Sequence, residues 1–253
     1  MSTTTTRWLG AALFLGLLAA WELAARHAGV SALVLPAPSA VAAALWTGLQ
    51  SGYFWPHLRA TVSTLLLGLA GGGAAGLLMG MLLAESPLLD RLLTPYVVVS
   101  QVVPKLALAP LFVLWFGFGP ASTVLITALI CFFPLMENTS TGLKQVDPQR
   151  LQLFQMLGAT RMQTLLRLKL PAGLPGILAG LRVAVVLALV GAVVGEFIGA
   201  STGLGAVIIA TQGMMDTTLM FATLVLIAVI GLLLYQATLL LERVWLRPYL
   251  DRS

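Results

Sequence analysis

Apolar residues along this chain come in long unbroken runs, without the alternation with polar residues that marks a half-buried strand. A helix needs about 20 apolar residues to cross a bilayer core about 30 Å thick, and about six runs here meet that length. They are expected at roughly 8–26, 60–84, 95–118, 121–137, 174–199 and 217–241. The pattern predicts an all-α, polytopic membrane protein. The first run has the Arg7 and small-residue flanks of a signal peptide, but its length and the runs that follow favour an uncleaved helix. Between the first two runs, Pro36, Pro38 and Pro56 bracket an apolar stretch that predicts a short helix at the membrane surface. The chain divides into residues 1–59, the first helix and outer segment, and a core over 60–250 that contains a cytoplasmic loop at 138–173.

Composition agrees. Hydrophobic residues make up 59% and charged residues 9% of 253, against about 25% charged in a soluble domain. Cys131 is the only cysteine and His27 and His57 the only histidines, so neither a disulfide framework nor a metal site is expected. The net charge of +5 matters less than its placement. With the N-terminus inside, ten basic residues fall on cytoplasmic segments: Arg7, Arg91, Lys144, Arg150, Arg161, Arg167, Lys169, Arg243, Arg247 and Arg252. Arg26 and Arg59 fall outside, and Lys105 and Arg182 within spans. That bias puts both termini in the cytoplasm.

Two runs carry glycine every fourth residue: Gly68, Gly72, Gly76 and Gly80, then Gly191, Gly195, Gly199 and Gly203. This spacing puts the glycines on one helix face, where backbones can approach closely, within one chain or between two.

The 138–173 loop has its own structural signals. Asp147-Pro148 reads as an N-cap followed by proline at the first helical position, opening a helix through Leu151, Phe154 and Leu157 that stops at Gly158. Thr160 and Gln163 have the spacing of a capping box and open a second helix that runs through Leu165, Leu166 and Leu168 to Pro171. The expected product is a helical hairpin, basic on one side and apolar on the other, suited to docking a cytoplasmic partner.

The stretch LGATRMQTLLRLKLPAGLPGILAGLRVA resembles the coupling-loop signature of ABC importer permeases: Glu-Ala-Ala, three residues, Gly, nine residues, Ile, one residue, Leu-Pro. Gly158, Leu168, Leu170 and Pro171 fall at that spacing, with Leu in place of Ile, and Ala159 and Thr160 follow the glycine. Gln152, Leu153 and Phe154 stand where the pattern has Glu-Ala-Ala. VVPKLALAPLFVLWFGFG, FFPLMENTSTGLKQVDP and VGAVVGEFIGASTGLG resemble the nitrate/sulfonate/taurine branch, whose members also carry thiamine-pyrimidine precursors, riboflavin and aromatic acids. The resemblance covers roughly residues 33–248. It implies a type I importer permease that works as a homodimer in the inner membrane, with two ATP-binding subunits and an extracytoplasmic solute-binding protein. ATP and Mg would be bound on those subunits, with no cofactor on this chain. The sequence contains no G-x-x-x-x-G-K-[ST] phosphate loop, and the chain is not expected to be an enzyme.

A charge at the centre of a membrane helix costs about 2.5–3.5 kcal/mol, so such residues face a cavity or a partner. Lys105, between Pro104 and Pro110, has two readings: lining the solute path, or pairing with Glu196 or Glu22. Gln101, Asn138 and Glu196 are further path candidates, Glu196 with the alternative of a structural hydrogen bond. Trp115 is a path aromatic or an interfacial anchor. Trp8, Trp21, Trp46, Trp55 and Trp245 read as anchors, Glu22 as a helix-end residue, and Arg182 as snorkelling to the inner surface. The solute expected is small and polar or anionic.

Two other function classes remain. Gly199-Ala200-Ser201-Thr202-Gly203 matches the G-x-S-x-G elbow of serine hydrolases, with His57, His27 and Asp216 on the same side. A secondary transporter driven by an ion gradient would show repeated halves and buried acids. No repeat is evident, and only Glu196 is a well-buried acid candidate.

Overall fold

The computed structural model describes residues 3–27 and 31–250. Arg252, assigned above to the cytoplasmic side, lies outside them. Among the described residues the chain is entirely helical: α1 (Thr3–His27), α2 (Pro38–Gln50), α3 (Phe54–Glu85), α4 (Pro87–Val102), α5 (Ala109–Phe116), α6 (Pro120–Lys144), α7 (Pro148–Met156), α8 (Arg161–Thr164), α9 (Leu170–Gly199), α10 (Leu204–Gly213) and α11 (Thr217–Leu250). Of the apolar segments, 5 are long enough to cross a membrane alone, and a bent pair brings the total to 6.

The bent pair replaces the single helix expected at 95–118. α4 begins earlier, at Pro87, where the Ser86 hydroxyl accepts a hydrogen bond from Leu89 N (3.3 Å). It ends at Val102, because Val103 precedes a proline and is held in an extended conformation (φ −66°, ψ 125°). A 3-10 turn over Lys105–Leu108 leads into α5, and the two pieces meet at 82°. α6 runs on to Lys144. The loop expected from 138 therefore starts only after Lys144. The link between the runs expected at 174–199 and 217–241 contains α10, packed against α9, α11 and α3.

The expected helix stop at Pro171 is also absent. Pro171 lacks the N–H that a regular helix would give to the carbonyl of Arg167. A π turn over Leu165–Lys169, in which Leu170 N donates to Leu165 O, carries the chain past it. Arg161–Gly199 is consequently one helical rod of 39 residues.

α6 is the centre of the bundle, lying between α3 and α9 with Ile126, Ile130, Cys131, Leu135 and Met136 buried. Its neighbours meet it through glycine. A Cβ on Gly72 would stand 2.1 Å from Ala128 O, one on Gly76 2.4 Å from Phe132 O, and one on Gly80 2.5 Å from Met136 O. Gly68 faces the Thr127 side chain in the same way (2.5 Å). On the opposite side, Gly191 and Gly195 face Thr127 Cα (3.1 Å) and Thr123 Cα (3.2 Å). Gly199 faces Val113 (2.8 Å), and Gly173 and Gly176 extend the track down to Gly142. Both glycine series are thus contacts within the chain. In lipid, where apolar burial gives helices no drive to associate, such backbone-level packing holds them together.

Polar contacts fasten the two ends of the bundle. At the hairpin end Lys144 pairs with Asp90 and Lys169 with Glu85, both at 2.7 Å. At the other end Gly119 N donates to Gly199 O (2.6 Å). α1 stands apart, tied to α2 by Glu22, which accepts from Arg26, Ser39 Oγ and Ser39 N. α2 packs on α11 in a cluster with Val41, Phe54, Leu204, Val207 and Leu226.

Gly72→Ala is expected to lower the thermal midpoint of the detergent-purified chain, since overpacking a tight contact costs about 1–3 kcal/mol. Gly71→Ala, one residue away with open space around it, should leave the melt unchanged.

Candidate functional site: a coupling hairpin and a pocket on one helical rod

The hairpin is built by its caps. Asp147 Oδ1 accepts from Gln149 N (2.9 Å) and starts α7 at Pro148. Gly158 takes φ +71°, a left-handed conformation that only glycine adopts freely, and turns the chain. Thr160 Oγ1 then accepts from Gln163 N (3.3 Å) while Gln163 Oε1 accepts from Thr160 N (2.8 Å), closing the capping box that starts α8. Around the turn Leu153, Met156, Leu157, Met162 and Leu166 are exposed, with Leu157 at 73%. Gln152, Gly158 and Thr160 share that surface, while Phe154 and Ala159 are half-buried. Leu168 is buried, and Leu170 and Pro171 are half-buried where the rod enters the bundle.

Further along the rod, α9 forms one wall of a pocket of about 610 Å³ against α6 and the α4–α5 bend. Gln101, Lys105 and Asn138 all line it, as do Val183, Leu187 and Val190 of α9. The bend is what delivers Lys105. With no continuous helix at 103–104, its side chain reaches over the Phe133 ring, Nζ 4.5 Å from the centroid. Among the described residues Lys105 pairs with no carboxylate, neither Glu196 nor Glu22. Asn138 Nδ2 donates to Pro134 O (2.8 Å) at the α6–α9 crossing, where its Cβ lies 2.6 Å from the Cβ position of Gly180.

The pocket also contains Glu137, which sequence reasoning passed over. It accepts a hydrogen bond from Gln101 Nε2 (2.9 Å). The expected end of the fourth run at residue 137 made it look like a boundary charge. Asn138 and Lys144, read as a continuing helix, would have placed it in the membrane.

Two other path candidates lie elsewhere. Trp115 is 65% exposed on α5 and lines no part of the pocket. Glu196 is at the opposite end from the hairpin, 2% exposed, where Oε2 accepts from Thr61 Oγ1 and Gly205 N, both 2.9 Å. Leu204 N in turn donates to Thr61 Oγ1 (2.8 Å), and Gly203 N to His57 Nδ1 (3.2 Å). Glu196 thus holds the start of α10 against α3. Arg182 does not snorkel freely but pairs with Glu242 of α11.

The same geometry dismantles the hydrolase reading. Ser201 lies in the extended link from α9 to α10, without the strand that a nucleophile elbow needs. His57 Nδ1 is occupied by Gly203 N, and Asp216 Oδ1 caps α11 through Leu219 N (3.0 Å).

Residues 72–246 match the family of binding-protein-dependent transport system inner membrane components. The chain belongs to that family. It is 39% identical to the riboflavin transport system permease protein RibX of Chloroflexus aurantiacus over 91% of this chain and 86% of that one. It is also 39% identical to the formylaminopyrimidine transport permease protein ThiX of Halalkalibacterium halodurans, over 92% of both. Identity to the taurine transport system permease protein TauC of Escherichia coli is 33%, over 90% of this chain and 84% of that one. Among solved structures, a crystal form of the inward-facing MetNI methionine ABC transporter superposes with a TM-score of 0.66 at 20% identity, covering 78% of this chain and 99% of that one. An amino acid ABC transporter with histidines gives 0.63 at 21%, covering 79% and 97%. The fold is that of ABC importer transmembrane subunits, and this permease is a multi-pass membrane protein of the nitrate/sulfonate/taurine branch. That membership removes the secondary-transporter alternative and implies ATP-binding and solute-binding partners for a small solute.

Thr160→Ala opens the capping box. At about 1 kcal/mol for an N-cap, it is expected to speed amide exchange at Gln163 about fivefold, read by hydrogen–deuterium exchange, with α3 and α6 unaffected.

Proposed function

We propose that the hairpin docks a cytoplasmic ATP-binding subunit and that its displacement gates the pocket around Lys105, through which a small polar organic solute enters the cell. The observation that carries this reading is the continuity of the rod. Arg161, just past the turn, and Val190, on the pocket wall, belong to one helical segment. A push on the hairpin therefore moves the wall without an intervening hinge loop. Two arrangements of a rigid element, biased from outside, are what a coupled transporter needs.

The exposed leucines and methionines around Gly158 supply the docking face, and Gln152-Leu153-Phe154 supply an apolar contact where the family pattern has an acidic start. ATP and Mg act on two partner subunits, and solute arrives from an extracytoplasmic binding protein. A second copy of the permease covers the apolar surface of α4, α5 and the turn after α5, on which Val99, Val102, Leu114 and Phe118 are exposed. The distribution of basic residues supports a cytoplasmic position for the hairpin and both termini. Lys105 and Glu137 give the pocket one charge of each sign, which favours a solute with both hydrogen-bond donors and acceptors.

Gly158→Val forces a β-branched residue into a left-handed conformation, a strain of about 1–3 kcal/mol, with no side-chain clash to confuse it. In the assembled importer it should leave basal ATPase activity near normal and reduce solute-stimulated ATPase and uptake at least tenfold. Stimulated transport at the wild-type rate would refute the docking role. Lys105→Ala should lower uptake at least tenfold with the ATP-binding subunit still co-purifying, and unchanged uptake would remove Lys105 from the path.

A further inference from the structure

The Glu196 knot leaves one atom unexplained. Oε2 holds Thr61 and Gly205, but Oε1 is buried with no hydrogen-bond partner among the described residues. Beside it lies a small cavity of about 80 Å³, lined by Ser63, Thr64, Thr123, Glu196, Ser201 and Thr202. That is room for two or three water-sized occupants.

The lining is rich in oxygen able to accept a positive charge. Ser63 Oγ donates to Ala60 O (2.8 Å) and Thr123 Oγ1 to Pro120 O (3.0 Å). With their protons engaged by backbone carbonyls, both hydroxyls have only lone pairs left to offer. The carboxylate is an acceptor as well. Ala200, also on the cavity wall, is at the C-terminal end of α9, where helix carbonyls carry partial negative charge. No basic side chain lines the cavity, Arg59 on α3 is exposed, and His57 is occupied by Gly203 N. An unpaired carboxylate in such surroundings is costly unless a bound cation or a proton neutralises it.

We propose that this cavity is a binding site for a monovalent cation of sodium size, held by Glu196 Oε1 with the Ser63 and Thr123 hydroxyl oxygens. Hard cations take sets of carboxylate, hydroxyl and carbonyl oxygen of this kind, and unwound helix ends within membranes supply them. The site lies at the end of the bundle away from the hairpin, outside the pocket around Lys105. A bound cation neutralises the carboxylate without displacing its bonds to Thr61 and Gly205, so occupancy fixes the start of α10 on α3. The buried Gly203 completes the fit: a Cβ there would stand 2.2 Å from the Glu196 carboxyl carbon.

The test is thermal unfolding of the full chain in detergent, at constant ionic strength, in chloride salts of sodium, potassium, lithium and choline. Saturating sodium should raise the midpoint by about 5 °C over choline. Glu196→Gln should abolish that difference. Should Glu196→Gln fail to fold, Thr123→Val and Ser63→Ala retain the carboxylate and should each raise the half-saturating sodium concentration at least tenfold. Identical midpoints in all four salts, or stabilisation that follows only pH, would mean that water or a proton fills the cavity and would overturn the proposal. A sodium effect that survives in Glu196→Gln would do the same.

Discussion

Contact between helix backbones, with no side chain between them, is the constraint on which this permease rests. α6 is gripped on both sides, and at Thr127 both neighbours meet one residue: Gly68 of α3 presses on its side chain while Gly191 of α9 meets its Cα. Where the glycines remove side chains from α3 and α9, Ile126, Ile130, Leu135 and Met136 of α6 fill the bundle together with Leu65 of α3 and Leu189 and Val193 of α9. Three helices packed this tightly can slide or tilt as units but cannot breathe locally. The fold therefore confines its freedom to the places where the helical pattern is broken.

Three of these places bear on function, and each has a local chemical cause. At Val103-Pro104 the missing N–H ends α4 and turns the chain, which sets Lys105 over Phe133 and opens the pocket. At Leu165–Lys169 the wide turn passes Pro171 without interrupting the rod. At Ala200–Gly203 the extended link lets α10 fold back onto the end of the bundle away from the hairpin, fastened by Glu196. The breaks bear on the pocket, the entry of the hairpin, and the far end respectively, so each function borrows a defect in an otherwise regular scaffold.

Most of the scaffold was legible in the sequence, because run length and glycine spacing are local quantities. The caps at Asp147 and Thr160 and the turn at Gly158 were legible for the same reason, since a cap is read from three or four adjacent residues. What escaped depended on tertiary context. Pro171 reads as a stop only if the turn before it must be regular, and the polar residues after Glu137 read as an end only if α6 has no neighbours to carry it on to Lys144. Glu137 hid at a boundary drawn at residue 137, whereas α6 runs on to Lys144. α10 hid because its residues, apolar and only ten long, resemble part of a span until Glu196 and Thr61 are seen to hold its N-terminus. The pairing of Arg182 with Glu242 joins residues 60 apart, beyond any local pattern.

The two lysine pairs at the hairpin end give the hairpin a second mechanical role. Lys144 immediately precedes the hairpin and Lys169 follows it, and their partners Asp90 and Glu85 flank a single corner, where α3 passes into α4. The hairpin is thus an arch with both feet set on one stone. Load applied at its crown reaches α9 along the rod, and it also reaches the base of α4, whose far end is the bend that carries Lys105. On the docking role proposed above, the two walls of the pocket would be driven from one handle, and a single stroke of the partner would shift them together.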